Sequence, residues 1–289
     1  MTARGAGPDA LLLHDLYTGA SGEEMSDLAG RLAGRRTTHV ADLPGFGRSG
    51  RPRMRFGPDL FFDAVVELVR HAIGRPTLLV GSGLSAAYAV EAAVRLGDQA
   101  SGVVLLAPPE PESAGSIESP TLRPLAYQLL RTPFGELWHG LHAATAWRRH
   151  ALRADLAVEP ADLDERAERR HRYARQPGSH WPLWSLWAGD LEWDPRPALA
   201  RLGAPALVLW GAEARRNPSA PDLYRAVRPD LEQRVIPGTG RWPHADAPEA
   251  VAEAIEAWRP GAEPEPAGPE PEPEPVGPEP DGPEPGLPE

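Results

Sequence analysis

The sequence contains no cysteine, no lysine and no long apolar run. Without cysteine, neither a disulfide nor a thiolate metal site can form. No stretch approaches the roughly 18 apolar residues that span a bilayer, and the start, MTARGAGPDA, lacks the apolar core of a secretory signal. We therefore expect a cytoplasmic protein without a membrane partner. All 30 basic residues are arginine, a bias from which no function follows.

The acidic charge is concentrated at the end of the chain. The formal net charge is −11, and residues 261–289 contribute nine acidic and no basic residues, which leaves −2 for the first 260 residues. No basic stripe suggests nucleic acid. The 11 prolines and scarce apolar residues of 261–289 predict a disordered Pro/Glu-rich acidic tail.

We expect no cofactor and no metal. The expected partner is a small-molecule ligand or substrate, and the sequence identifies no protein partner.

Short apolar segments that end in glycine or proline turns alternate with amphipathic helical patterns. Strands are predicted at residues 10–14, 38–42, 77–81, 103–107, 206–211 and 233–236. Helices are predicted, among others, at residues 24–32, 59–73, 86–96 and 248–258. The alternation is typical of βαβ units and predicts a doubly wound, mostly parallel sheet of about six strands. With nine residues before the first strand, any preceding antiparallel strand is expected to be absent or very short.

Residues 113–197 interrupt this alternation after the fourth predicted strand. They read as helical segments with prolines and hold six of the nine tryptophans, including the cluster HWPLWSLWAGDLEW. We interpret this segment as a helical, Trp-rich cap on a core formed by residues 1–112 and 198–260. Tryptophans bury large rigid surfaces, so they either hold the cap together or line a pocket beneath it. The candidates for ligand contact are Trp181, Trp184 and Trp187.

Four motifs occur in the order LLLHDLYTGAS, ADLPGFGRSGRP, LLVGSGLSAAYAVEAA and PGTGRWPHADAPE. Together they resemble the α/β-hydrolase superfamily over about residues 10 to 258. The opening and the third motif also resemble a little-characterised branch with an HGxYxGAS-like loop and an SLSAAYA-like elbow. The resemblance implies the α/β-hydrolase fold, a nucleophile on a strand-to-helix elbow of G-x-S-x-G type, and a histidine and an acid that activate the nucleophile.

The three positions that the resemblance assigns to this triad hold other residues. With Gly81 as the first glycine of the elbow, the nucleophile position is Gly83. The acid position is Ala214, and the histidine position is Arg241. Glycine offers no nucleophile, and arginine stays protonated and cannot act as a general base. The triad is therefore predicted to be lost, and Gly83→Ser alone is not expected to restore hydrolysis.

Other residues could replace the triad in a different register. Ser85 would be the nucleophile if the elbow reads G-L-S-A-A, with His244 as base, and Glu213 could be a displaced acid. The structural alternatives are that Ser85 begins the helix, that His244 only packs, and that Glu213 is a solvated loop charge. Both readings stay open at this stage.

The backbone donors of an oxyanion hole do not depend on these side chains. The resemblance assigns them to the N–H groups of Leu16, in the first loop, and Leu84, after the elbow. Asp15 replaces the usual glycine beside Leu16, and its carboxylate either lies near the hole and opposes an oxyanion or caps the loop.

The preferred functional hypothesis is a non-hydrolytic protein that binds a small hydrophobic or mixed ligand under the cap, with Arg241 available to clamp an anionic group. One alternative is a cofactor-free lyase, isomerase or cyclase with His244 or Asp15 as acid or base. Another is an ester or C–C bond hydrolase that uses Ser85 and His244.

Overall fold

The structure is a computed structural model that describes residues 1–109, 119, 121–213 and 220–258. Within them, seven strands form one sheet in the order β1-β3-β2-β4-β5-β6-β7. All neighbouring pairs are parallel except β1 with β3. The strands are β1 Thr2–Arg4, β2 Asp9–Leu13, β3 Thr37–Ala41, β4 Thr77–Ser82, β5 Ala100–Leu106, β6 Ala206–Gly211 and β7 Glu232–Ile236.

The six predicted strands are confirmed as β2 to β7, with ends that shift by up to three residues. The additional strand β1 is three residues long and pairs antiparallel with β3, from Thr2 opposite Val40 to Arg4 opposite Thr38. A very short antiparallel strand is what the nine residues before the first predicted strand allowed. The central strands β2, β4 and β6 are buried at every position, as expected for parallel strands covered on both faces.

The helices that the structure describes are α1 Ser26–Leu32, α2 Pro58–Glu67, α3 Leu84–Leu96, α4 Arg123–Leu130, α5 Pro133–Ala143, α6 Thr145–Asp155, α7 Leu163–Ala174, α8 His180–Trp187, α9 Arg196–Arg201, α10 Ala220–Val227, α11 Pro243–Asp246 and α12 Pro248–Ala257. The predicted helix 59–73 continues past α2 as a π-helical segment, Leu68–Ile73. None of these helices is long and apolar enough to cross a bilayer.

Side chains that alternate along the strands point to opposite faces of the sheet and pack into two separate cores. Leu11, Leu13 and Leu79 belong to a core with α2, α3 and α9, whereas Leu12 and Val80 point to the opposite core with α1 and α12. This follows from the twofold alternation of side chains along a strand. Both faces of the sheet are thus covered by helices.

Helices α4 to α8 lie between β5 and β6, in the segment that the sequence predicts as a cap. The predicted boundary at residues 197 and 198 falls inside α9, and Leu199 of α9 packs into the main core, so this helix is part of the core. Residues 110–118, 120, 214–219 and 259–289 lie outside the described residues. Ala214 and the predicted acidic tail are among them and stay predictions.

Candidate active site

Gly83 is the single residue that joins strand β4 to helix α3. Its φ of 53° and ψ of −126° lie in a region that glycine adopts freely and other residues adopt only under strain. Its N–H donates to the carbonyl of Leu106 on β5 at 3.0 Å. A strained strand-to-helix turn is where α/β hydrolases carry the nucleophile, and this chain has no side chain there.

The loop after β2 is held by the ring of His14, which is fully buried. Its Nδ1 donates to the carbonyl of Asp15 at 2.7 Å, and its Nε2 accepts the N–H of Leu43 at 3.0 Å. The ring therefore ties the loop to the segment that follows β3. The backbone carbonyl of Asp15 is held in place as a result.

The carboxylate of Asp15 lies in the predicted oxyanion hole. Its Oδ1 accepts the N–H of Leu16 at 2.8 Å and the N–H of Leu84 at 2.9 Å. The structure thus brings the two predicted donors together, and both point at one oxygen of the protein itself. Asp15 is 1% exposed. The sequence offered two arrangements for Asp15: a carboxylate near the oxyanion hole, or a cap of its own loop. In the structure, the carboxylate does both.

The second oxygen of Asp15 contacts Arg241, at the predicted histidine position. Arg241 Nη2 lies 3.2 Å and Trp242 Nε1 3.3 Å from Asp15 Oδ2, and Arg241 Nη1 lies 4.0 Å from Asp155 Oδ1. Burial lowers the pKa of Arg241, but the carboxylates of Asp15 and Asp155 outweigh burial and raise that pKa above its ordinary value. Arg241 is therefore a charged partner of Asp15 and no proton acceptor.

The position of the Asp15 side chain requires glycine at position 83. A Cβ built on Gly83 would lie 2.2 to 2.4 Å from the three carboxyl atoms of Asp15, far inside van der Waals contact. The carboxylate thus occupies the space into which a nucleophilic side chain at position 83 would extend. Any residue larger than glycine requires the Asp15 side chain to move.

Ser85, the alternative nucleophile, lies inside α3 with its side chain fully buried. Its Oγ lies 3.0 Å from the Leu13 carbonyl and 2.9 Å from the Ser82 carbonyl, to one of which it donates, and it accepts the Ser82 N–H at 3.1 Å. These bonds join the end of β2 to the elbow. Within the described part of the chain, Ser85 has no hydrogen bond to His244.

His244 pairs instead with Glu24, a residue that the sequence did not single out. His244 Nε2 donates to Glu24 Oε1 at 3.0 Å, and the same oxygen accepts the N–H of Asp15 at 3.2 Å. Both residues are almost completely buried. Burial raises the pKa of Glu24, but the hydrogen bond and charge of His244 outweigh burial and lower that pKa to about 2. The two residues lie 220 positions apart, so no local pattern could have joined them.

The pairing of Glu24 with His244 predicts that the free energy of unfolding decreases at acidic pH and that Glu24 causes part of this decrease. Its pKa falls from 4.5 to about 2 on folding, so the ionised carboxylate contributes stability that is present above pH 4.5 and is lost as the pH falls towards 2. The contribution is on the order of 3 kcal/mol. In urea unfolding at neutral pH and at about pH 3, the wild type should lose more stability than Glu24→Gln. The exposed Glu67→Gln is the matched control, and equal losses in wild type and Glu24→Gln would contradict the assignment.

The acid position, Ala214, lies outside the described residues. Glu213, the alternative acid, is exposed after β6, and its N–H donates to the Thr239 carbonyl at 2.9 Å. Among the described residues, the hydrogen-bond partners of the His244 and Arg241 side chains are Glu24 and Asp15, and the Glu213 side chain bonds to neither of them. The role of Glu213 as an acid stays a prediction.

The three candidate tryptophans lie on α8 in the predicted cap segment, and Trp181 and Trp187 also pack against the main core. Trp184 is 2% exposed in a cluster with Tyr127 of α4 and Leu130, and the half-buried Trp181 and Trp187 pack against this cluster. The rings of Trp181 and Trp184 meet edge to face with centroids 4.9 Å apart. These contacts join α4 to α8. Ligand contact by these side chains stays a prediction.

A small cavity lies between the first loop and the cap, next to Gly19, Gly47 and Leu183. Its volume is about 10 Å³, which is about the space that a single water needs. In the described residues, no group of three or more His, Asp or Glu side chains could hold a metal ion.

The chain belongs to the alpha/beta hydrolase family, whose family model matches residues 10–254. The predicted superfamily and fold are thereby confirmed. The motifs around His14, Asp42, Gly83 and Pro237 that suggested it all lie inside the matched segment.

Curated relatives carry names of hydrolases. The chain is 28% identical to 2-(acetamidomethylene)succinate hydrolase of Mesorhizobium japonicum over 260 residues, which cover 87% of this chain and 88% of the relative. It is 26% identical to mouse (lyso)-N-acylphosphatidylethanolamine lipase over 255 residues, which cover 78% and 72% of the two chains. These names favour the alternative prediction, an active hydrolase, over the preferred one, a non-hydrolytic protein.

Solved structures share the fold at lower identity. E-2-(acetamidomethylene)succinate hydrolase aligns with a TM-score of 0.63 at 22% identity and covers 88% of this chain and 91% of its own. A serine hydrolase involved in carbazole degradation aligns with a TM-score of 0.71 at 17% identity, over 88% and 91% of the two chains. At these identities the similarity supports the fold and says nothing about which reaction this chain performs.

Proposed function

We propose that this family member does not hydrolyse its ligand through a serine nucleophile and acts as a binding protein. The observation that carries the proposal is the Asp15 carboxylate, which accepts the N–H groups of Leu16 and Leu84 and fills the space above Gly83. An oxyanion hole accelerates hydrolysis because its donors stabilise charge that develops in the transition state. Donors that already bind a carboxylate are not available, and the carboxylate repels a second anion.

The site is also balanced in charge. Asp15 pairs with Arg241, and Glu24 pairs with His244, so the buried carboxylates each have a cationic or donating partner. A buried charge that lacked its partner would be costly, which explains why arginine at position 241 accompanies aspartate at position 15. The same pairing makes Arg241 a weak clamp for an anionic ligand, since its nearest carboxylates belong to the protein.

The ligand in this proposal is a small hydrophobic or mixed molecule under the cap, where the cavity of about 10 Å³ must widen to admit it. Two features support it. Trp181 and Trp187 are half-buried, so part of each ring is open to contact, and the buried Trp184 Nε1 has no hydrogen-bond partner among the described residues. An acceptor atom on a ligand or a water would stabilise that N–H. Thermal-shift screening of such molecules, with Trp184→Phe as control, tests this part of the proposal.

Labelling with a serine-directed fluorophosphonate tests the loss of hydrolysis. We expect no labelling of the wild type and no turnover of p-nitrophenyl acetate or butyrate above the uncatalysed rate, because position 83 has no nucleophile and the oxyanion donors are occupied. An active esterase of the same fold, labelled in parallel, is the positive control.

An active hydrolase with a different nucleophile is the second candidate, and the names of the relatives support it. Its residues would be Ser85 and His244. Labelling of the wild type that disappears in Ser85→Ala, and persists in the control Ser82→Ala, would overturn the first proposal in favour of this one. For a cofactor-free lyase, isomerase or cyclase, no contact of Asp15 or His244 in the described residues provides support, because both are buried against protein groups.

A further inference from the structure

An exposed apolar surface covers the outer side of the cap. Seven large apolar side chains of α4, α5 and α6 are between 40% and 66% exposed: Leu125, Leu129, Phe134, Leu137, Trp138, Leu141 and Trp147. We call these seven residues the cap face. Contiguous apolar surface of this kind on a folded protein marks an interaction site more often than chance.

The cap face is continuous from α5 to α6, because its side chains on α5 share one side of the helix and its rings touch those of α6 through His142. On α5, the apolar residues fall at positions 134, 137, 138 and 141, which lie on one side of a helix. Phe134 stacks on Trp138 with centroids 6.2 Å apart, and His142 contacts both Trp138 at 4.4 Å and Trp147 of α6 at 4.6 Å. The ring contacts extend the surface from α5 to α6.

The inner side of α5 explains why the apolar side faces outward. Gly135 and Ala143 are buried, and a Cβ on Gly135 would lie 1.8 Å from the Leu130 carbonyl, so the helix packs closely against the end of α4. Small residues of α5 thus make its contact with the neighbouring helices, and its large apolar residues face the solvent. An amphipathic helix of a globular domain ordinarily buries its large apolar residues.

The charge around the cap face is positive. Residues 121–153 contain one acidic residue, Glu136, and five arginines, of which Arg131, Arg149 and Arg153 are exposed. The exposed Arg149 pairs with Asp164 at 3.1 Å and the exposed Arg153 with Glu159 at 2.8 Å. Exposed pairs of this kind are weak, so both guanidinium groups can exchange their partners for other anions.

We propose that the cap face docks onto the surface of an anionic lipid bilayer. Leucine and aromatic side chains enter the boundary between headgroups and acyl chains, and the exposed Arg131, Arg149 and Arg153 contact lipid phosphates. The expectation of no membrane partner came from the lack of a spanning segment, and peripheral docking needs none. This inference does not depend on whether the protein hydrolyses its ligand.

A second copy of the chain fits this surface less well. In a twofold interface the same patch meets itself, so the arginines around the two cap faces would approach one another. Within the segment 121–153 only Glu136 is acidic, and the nearby Asp164 and Glu159 are already paired with Arg149 and Arg153. An anionic lipid surface complements both the apolar side chains and the charge.

Co-sedimentation of the full-length protein with vesicles tests the proposal. Vesicles of phosphatidylcholine with phosphatidylglycerol should bind the protein, those of phosphatidylcholine alone should bind it much less, and added salt should weaken binding. Leu137→Gln with Leu141→Gln should reduce binding about tenfold or more, since two apolar side chains no longer enter the lipid. The matched control is Val158→Gln with Val235→Gln, which alters two equally exposed apolar residues outside the cap face.

Three results would overturn the proposal. The first is no sedimentation of the wild type with anionic vesicles, and the second is equal binding to neutral and anionic vesicles. The third is a dimer in light scattering that the Leu137 and Leu141 variant dissociates, which would assign the surface to a second copy. Circular dichroism of each variant establishes that it is folded before binding is compared.

Discussion

Asp15→Ala is expected to lower the free energy of unfolding by about 2–4 kcal/mol. The substitution removes the acceptor of two backbone N–H groups, those of Leu16 and Leu84, and the nearest carboxylate of Arg241. Each unmet donor in a site from which water is excluded carries a desolvation penalty. The side chain of Arg241 is 38% exposed. Solvent therefore screens its ion pair with Asp15, and the loss of that pair contributes only a small part of the expected destabilisation.

Urea unfolding at neutral pH measures this loss, and two variants serve as controls. Asp15→Asn keeps an acceptor oxygen for the N–H groups and loses the charge, so it should fall between wild type and Asp15→Ala. Asp63→Ala removes an exposed carboxylate paired with Arg95 and should cost less than about 1 kcal/mol. A loss in Asp15→Ala no larger than in Asp63→Ala would show that the carboxylate does not hold the site together.

Acetate offers a more specific readout of the same site. If Asp15→Ala vacates a carboxylate site formed by the two N–H groups and Arg241, free acetate should bind there and restore part of the lost stability. The wild type should not respond, since its own carboxylate occupies the site. Sodium chloride at equal ionic strength separates binding from screening, and an identical effect of acetate on both proteins would count against a vacated site.

Gly83→Ser is expected to destabilise the protein by about 2–5 kcal/mol and to produce no hydrolase activity. Two costs combine: a non-glycine residue at φ 53° and ψ −126° is strained, and its Cβ would lie 2.2 to 2.4 Å from the carboxyl atoms of Asp15. Without a base at position 241, the new hydroxyl also has no proton acceptor.

The chain contains a matched control for the backbone cost. Gly97 has φ 57° and ψ −126°, nearly the same as Gly83, and a Cβ there would meet nothing within 4 Å. Gly97→Ser therefore reports the strain alone, and Gly83→Ser should cost at least about 1 kcal/mol more.

A double-mutant cycle identifies the source of this difference. In the Asp15→Ala background the clash is removed, so Gly83→Ser should cost less than in the wild type. Additive effects of the two substitutions would refute the steric coupling of positions 15 and 83. Urea unfolding of the four proteins supplies the comparison.

The sequence predicted most of the fold because the signals of a parallel sheet are local. The strand at residues 206–211 is apolar throughout and ends at a turn, and its bounds were predicted without error. The helix predicted at residues 59–73 was right in extent but not in type, since its last six residues form a π-helical segment that Gly74 caps. Its apolar pattern does not distinguish the two hydrogen-bond patterns.

The sequence also located the unusual positions of the site. Motif spacing placed Gly83 at the elbow and Arg241 at the histidine position, and the structure places Gly83 at the turn between β4 and α3. Glu24, in contrast, could not be recognised from the sequence. Its role depends on His244, which is distant in the chain and close only in the folded protein.

The sequence by itself determined the family and the order of strands and helices, and it predicted which residues stand at the triad positions, because local patterns and motif spacing carry this information. Only the tertiary structure decided what those residues do together. Asp15, Gly83 and Arg241 come from three separate loops at the carboxyl ends of parallel strands, and packing of the sheet brings them into contact. The carboxylate then lies on the oxyanion donors, an arrangement of distances that no linear pattern contains.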